Sequence, residues 1–153
     1  MKRIKRWKFT QAMLMIAPFQ VRDAHPTADD QPKQQGLTKD RGFMFEAIGP
    51  AKELTQINFV VAASKDVGLL TERLGWLTIA LKTLHPGWVE IHRWLESSLL
   101  KAMQGQTVYE SKRKLKVHMP EQGVLIVAVG VDPPSKGKGF AKAKDAIAIP
   151  PMA

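Results

Sequence analysis

The strongest constraint on this chain lies in residues 66–104, where leucines recur at helical spacing on both sides of His85-Pro86-Gly87-Trp88. Val67, Leu70, Leu74, Leu77, Leu81 and Leu84 follow one another at alternating steps of three and four, which puts them on one face of a 3.6-residue helix. Leu69, Trp76 and Ala80 gather on nearly the opposite side, so this helix is expected to be central and packed on both sides. Asp66 is the expected N-cap, its carboxylate accepting from the free amides of the first turn. The residue before Pro86 is driven out of the helical region, which stops the helix near Leu84. Pro86 then suits the first turn of a second helix, because its missing N–H has no helical partner there. In that helix Trp88, Ile91, Leu95, Leu99 and Ala102 form one apolar stripe, with Glu90, Arg93, Lys101 and Gln104 on the other side. Gly105 is the expected left-handed terminator. A break this short predicts two antiparallel helices in contact.

The flanking segments read as strands. The odd positions from Trp7 to Val21 are mostly apolar, which predicts a strand over 7–21, interior between residues 12 and 17. Phe43–Gly49 and Thr55–Ala63 follow as two more, joined by the turn Gly49-Pro50-Ala51-Lys52. Val108–Met119 alternates again, and Pro120-Glu121-Gln122-Gly123 turns it into the apolar run Val124–Val131. Residues 22–42 have no periodicity and carry two prolines and two glycines, so they are expected to form a long loop. The fold class is therefore α+β: an antiparallel sheet of about five strands, ordered β-β-β-α-α-β-β, packed by a helical hairpin. The expected organisation is a single domain over 1–132 and a basic, flexible tail over 133–153.

A chain of 153 residues is long enough to bury roughly two thirds of its unfolded surface without a staple. The absence of cysteine excludes disulfides, thiolate zinc sites and cysteine nucleophiles, and fits a reducing compartment. Five of the first eight residues are Lys or Arg, and Ala12–Ala17 is apolar. That run is shorter than a signal peptide needs, is bracketed by Gln11 and Pro18, and has no A-x-A site after it, so the expected location is cytoplasmic. No stretch reaches the length of a membrane span.

Charge is the main functional signal. Lys+Arg 23 against Asp+Glu 14 gives +9 at neutral pH, which favours polyanionic partners. The basic residues fall in three runs: Lys2, Arg3, Lys5, Arg6 and Lys8; Lys112, Arg113, Lys114 and Lys116; and the tail with Lys136 and Lys138. In a continuous strand, Lys112, Lys114 and Lys116 would stand in a row about 6 to 7 Å apart, suited to successive phosphates. The competing reading is a solvated strand face or a guarded sheet edge. Trp7 and Tyr109 fall on the apolar phase of their strands and are expected in the core. Trp94 lies off the helical stripe and is the expected residue for a partner contact or a contact with the sheet.

Nothing in the chain has the spacing of a catalytic or metal motif. His92 and Glu96 are one turn apart, without H-E-x-x-H, and Asp23, His25, Asp29 and Asp30 are expected to be solvated. G-x-S-x-G, the P-loop and G-x-G-x-x-G are all absent. The expectation is a non-enzymatic nucleic-acid-binding or nucleoprotein accessory domain without cofactor or metal. The alternative is a protein-interaction module whose basic patch meets an acidic protein surface.

Overall fold

The computed structural model describes residues 3–130. They form an antiparallel sheet of seven strands with three helices on one face. The elements in chain order are α1 (Arg6–Ile16), β1 (Phe19–Ala24), β2 (Lys33–Thr38), β3 (Phe43–Ile48) and β4 (Gln56–Ala62), followed by α2 (Val67–Leu84) and α3 (Ile91–Met103), and then β5 (Val108–Glu110), β6 (Leu115–Glu121) and β7 (Val124–Gly130). The strand order is β1-β2-β3-β4-β7-β6-β5. Two meanders thus meet at the β4–β7 pair, and the helical hairpin carries the chain from one to the other.

The α+β class and the helical pair agree with the sequence reading, although α3 begins only at Ile91 and leaves Pro86 and Trp88 in the break, and the strand count rises from about five to seven. The first correction is at the N-terminus, where 6–16 is a helix and only 19–24 is a strand. Phe9 and Met13 are fully buried. Being four residues apart, they fall on one side in both a period of 2 and a period of 3.6, so alternation alone could not separate the two. Pro18 ends the helix by disfavouring helical geometry at the preceding residue, and Ala17 is extended at φ −145°.

The second correction concerns residues 22–42, which contain the end of β1 and the whole of β2. Strand β2 turns Gln34, Gly36 and Thr38 toward the core face and so shows no hydrophobic alternation. Its packing comes from a neighbour instead. The ring of Phe45 on β3 lies where a Cβ on Gly36 would be, 2.1 Å from the ring's Cε2. Phe45 meets Phe9 at 5.2 Å and Phe19 at 4.9 Å, both edge-on, so the absent side chain on β2 lets α1, β1 and β3 share one aromatic cluster.

The third correction splits the expected strand 108–119 into β5, a turn and β6. The Glu110 carboxylate accepts from the Arg113 amide at 3.0 Å and pairs with its guanidinium at 2.5 Å, while Lys114 adopts a left-handed φ of 58°. Those local bonds reverse the chain, and Glu110 then faces Leu115.

Asp66 does cap α2, accepting from the amides of Gly68 and Leu69, and Gly105 has φ +87°. Helix α2 lies on the sheet in contact with both α1 and α3, and Ala80 on its second apolar side is fully buried. Leu69 and Ile79 are exposed, as is Val67 at the start of the leucine face, and a Cβ on Gly75 would meet nothing within 4 Å. Trp76 stacks on Phe43 at 6.0 Å, while Leu77 and Leu81 face the core formed by Phe59, Val127 and Val117.

Gly36→Ala is expected to cost roughly 3 kcal/mol in urea unfolding, at the upper end for overpacking. Pairing it with Phe45→Leu should cost clearly less than the two single losses added. Strictly additive losses would show that the ring does not occupy the Gly36 position.

Candidate functional site

Strand register fixes which loops share an end of the molecule. Ala24 pairs with Lys33, Lys33 with Ile48, Ile48 with Gln56, and Gln56 with Gly130. Leu115 pairs with Val129 beside them. The β1–β2 loop, the β3–β4 turn, the β5–β6 turn and the end of β7 therefore all lie at one end of the sheet. The start of α1 is tied to the same end by Arg6 N–H donating to Ala51 O at 2.9 Å and Leu54 N–H to Ile4 O at 3.0 Å. Helix α2 begins after Ala62 at the far end and returns to this one, where α3 starts.

Exposed basic residues from three separate segments lie at this end, beside the exposed Asp29 and Asp30 of the β1–β2 loop. Lys5 is the N-cap residue of α1 and Arg6 its first helical residue; Lys5 and Lys8 are exposed. Lys52, exposed in the β3–β4 turn, stands next to Ala51 and so next to the start of α1. Lys112 is exposed in the β5–β6 turn. The two turns are three strand spacings apart, about 14 Å. The first turns of α1 and α3 open here as well, without a side-chain cap bond; Lys5 stands at the N-cap of α1, whereas Glu90 at the N-cap of α3 offsets the positive end of that helix.

Other expected site residues have different roles. Arg113 is committed to Glu110 and lies over the Trp88 ring, 4.4 Å from its centroid. Burial raises the Glu110 pKa, but the amide and guanidinium of Arg113 outweigh it and hold the carboxyl below its ordinary value. Lys114 is half-buried in its left-handed turn, and burial lowers its pKa. Lys116 is only 4% exposed, also with its pKa lowered by burial, and is withdrawn from any polyanion. The row of three evenly spaced lysines does not form, because two of its members belong to a turn. Arg3 pairs with Glu53 at 3.7 Å. Lys2, Lys136 and Lys138 lie outside the described residues.

The expectations for Trp7 and Tyr109 are reversed. Trp7 is 55% exposed and Tyr109 47% exposed, whereas Trp94 is half-buried, packed on the core 5.0 Å from Trp88. Trp94 is therefore a packing residue, paired with the buried Trp88. On α1, Trp7, Leu14 and Met15 form an exposed stripe, with Lys8 5.8 Å from the Trp7 ring. Sequence reasoning identified the turn at Lys52 but not its place in the basic end. That place depends on the backbone bonds from residues 4 and 6, which leave no local signal.

His85 sits where α2 hands over to α3, 6.1 Å from Trp88, with Nε2 buried and unbonded. Burial, reinforced by the charge of Arg113, pushes its pKa down to about 4. Among the described residues no group of three His, Cys, Asp or Glu side chains could hold a metal ion, and no helix is long and apolar enough to cross a membrane. No protein-family model matches the chain, and neither a curated protein nor a solved structure is significantly similar to it.

A histidine kept neutral by folding makes stability depend on pH. The unfolded chain takes up a proton near pH 6.5, the folded one only near 4, so stability is complete above 6.5 and falls as the pH drops toward 4. The urea midpoint should be flat from pH 8 to 7 and decline below, by at most about 1.4 kcal/mol per pH unit for this group. His118, whose pKa burial also lowers, adds with the same sign. His85→Gln should flatten part of that decline, and an unchanged slope would exclude His85 as its source.

Proposed function

We propose that the protein is a non-enzymatic nucleic-acid-binding accessory domain whose basic end contacts the phosphate backbone. One observation carries this reading: the topology gathers Lys5, Arg6, Lys8, Lys52 and Lys112 at the same end of the sheet. These positions are far apart in sequence, and all but the half-buried Arg6 are exposed. No pattern of base-reading side chains accompanies them, so the expected contacts are to backbone phosphates, with affinity insensitive to sequence and steeply dependent on salt. The exposed Trp7 beside Lys8 supplies a stacking surface of the kind single strands use.

A second reading, a protein-interaction module docking on an acidic surface, is favoured by the apolar stripe Trp7, Leu14 and Met15 next to that charge. Capture of partners from nuclease-treated extract separates the two. Proteins that stay bound after nuclease, and are lost from Leu14→Glu, support the module.

The direct test is fluorescence anisotropy with single-stranded DNA, duplex DNA and RNA at low and physiological salt. The Lys5→Gln/Lys52→Gln/Lys112→Gln variant should weaken binding on every sequence alike and reduce the slope of log K against log salt by about 0.7 to 0.9 per lost contact. A charge-matched Lys39→Gln/Lys65→Gln/Lys101→Gln variant, which removes exposed lysines at the opposite end, should change much less. Equal losses in both variants would mean that net charge, not this end, governs binding.

A further inference from the structure

The end of the sheet opposite the basic loops has a different chemistry. There α2, α3 and the β6–β7 hairpin line a half-open chamber of about 140 Å³. Leu70 and Leu74 come from α2, Leu99 and Met103 from α3, and Met119 and Leu125 from the hairpin. The lining is almost entirely hydrocarbon. Ordered water needs two to four polar partners, which such walls do not supply, and chambers of about 150 Å³ lined by aliphatic and aromatic side chains stay dry and admit benzene. Met103 is 71% exposed and marks the mouth. Unbranched thioether side chains there can swing aside at small cost.

Met103 and Met119 also wall a second, wider space of about 460 Å³, bounded by Gly105, Pro120, Glu121 and Gln122. This groove lies beside the C-terminus of α3, whose negative end Lys101 in the last turn offsets, and the exposed Glu121 is the charged side chain that lines it. A molecule crossing the two methionines would pass from hydrocarbon walls to a groove whose polar side chains are Glu121 and Gln122.

We propose that this is a binding site for a small amphiphile, with an apolar head of about six to eight carbons in the chamber and an amine or other hydrogen-bond-donating end in the groove. The chamber sets the size of the head. The charge of Glu121 sets the sign of the other end and disfavours a carboxylate. The site shares no residue with the basic end, so binding here and polyanion binding there can succeed or fail independently.

The test uses the full chain with 13C-labelled methionine methyls, titrated with toluene, phenethylamine and 3-phenylpropionate. Met103 and Met119 should shift saturably while Met13 in the core and Met44 on the other sheet face stay fixed. Toluene should bind with Kd on the order of a millimolar, phenethylamine at least as tightly, and 3-phenylpropionate about tenfold more weakly. Leu99→Phe, which fills the chamber, should weaken toluene and phenethylamine at least tenfold with the fold retained by circular dichroism. Leu74→Phe serves the same purpose should the first variant unfold. No saturable shift up to the solubility limit of toluene, or the same titration in a folded, filled variant, would overturn the site. Equal binding of the carboxylate and the amine would overturn the assigned polarity.

Discussion

The buried guanidinium of Arg73 ties helix α2 to the sheet at one defined point. Arg73 on α2 is 6% exposed; it donates to the carbonyl of Ala62 at the end of β4 and pairs with Asp40 in the β2–β3 turn at 3.0 Å. Its guanidinium covers Gly42, where a Cβ would lie 2.0 Å from Cζ. Asp40 accepts as well from the Gly42 amide and the Thr38 hydroxyl, and these donors together with Arg73 hold its carboxyl down at about 2. The Thr38 hydroxyl in turn accepts from the Phe43 amide, setting the start of β3 where Phe43 can stack on Trp76. An ion pair of this kind need not add much net stability, because desolvation offsets its attraction. Its geometry, however, leaves one docking position for α2, and Asp40 stays charged down to strongly acidic pH.

That docking divides the molecule into two chemically different ends. Arg73 and Asp40 lie at the end where β4 stops, so this buried charge is neutralised locally. At the same end, α2 and α3 lie over the hairpin and leave the hydrocarbon chamber between them. The other end receives the start of α1, both basic turns and the α2–α3 break. Exposed lysines stand at this end (Lys5, Lys8, Lys52 and Lys112), and Lys39, Arg41 and Lys65 are exposed at the other. His85 and Trp88 seal the α2–α3 break beneath that charge, and Arg113 over Trp88 links the break to the β5–β6 turn. The aromatic seal explains why one arginine of the basic run is structural while its neighbour Lys112 is exposed.

What was legible in the sequence follows from how local each signal is. The helical hairpin, its Asp66 cap and its Gly105 terminator depend on spacing and on backbone groups within a few residues, so they were readable. The strands at 43–48, 56–62 and 124–130 were readable too, since their buried faces are continuous hydrocarbon. Two strands were hidden. One, β2, buries a glycine under a ring from its neighbour. The other, β1, starts only after a helix whose buried pair, Phe9 and Met13, fits either periodicity. The basic strand misled because even spacing of lysines says nothing about a turn made by Glu110 and Arg113.

The sequence by itself determined the class of fold, the central helical pair, the excess positive charge and its three runs. All of these are sums over residues or patterns within one turn or strand. Only the tertiary structure decided where that charge is displayed, because strand order and register set which loops are neighbours. It joined Lys52 to Lys5 through backbone bonds from residues 4 and 6. It buried Lys116, packed Trp94 half-buried against the core, exposed Trp7, and opened a hydrocarbon chamber between elements some sixty residues apart in the chain, from Val61 to Leu125. Each of these depends on which surfaces meet after the helices dock, and no window of the chain carries that information.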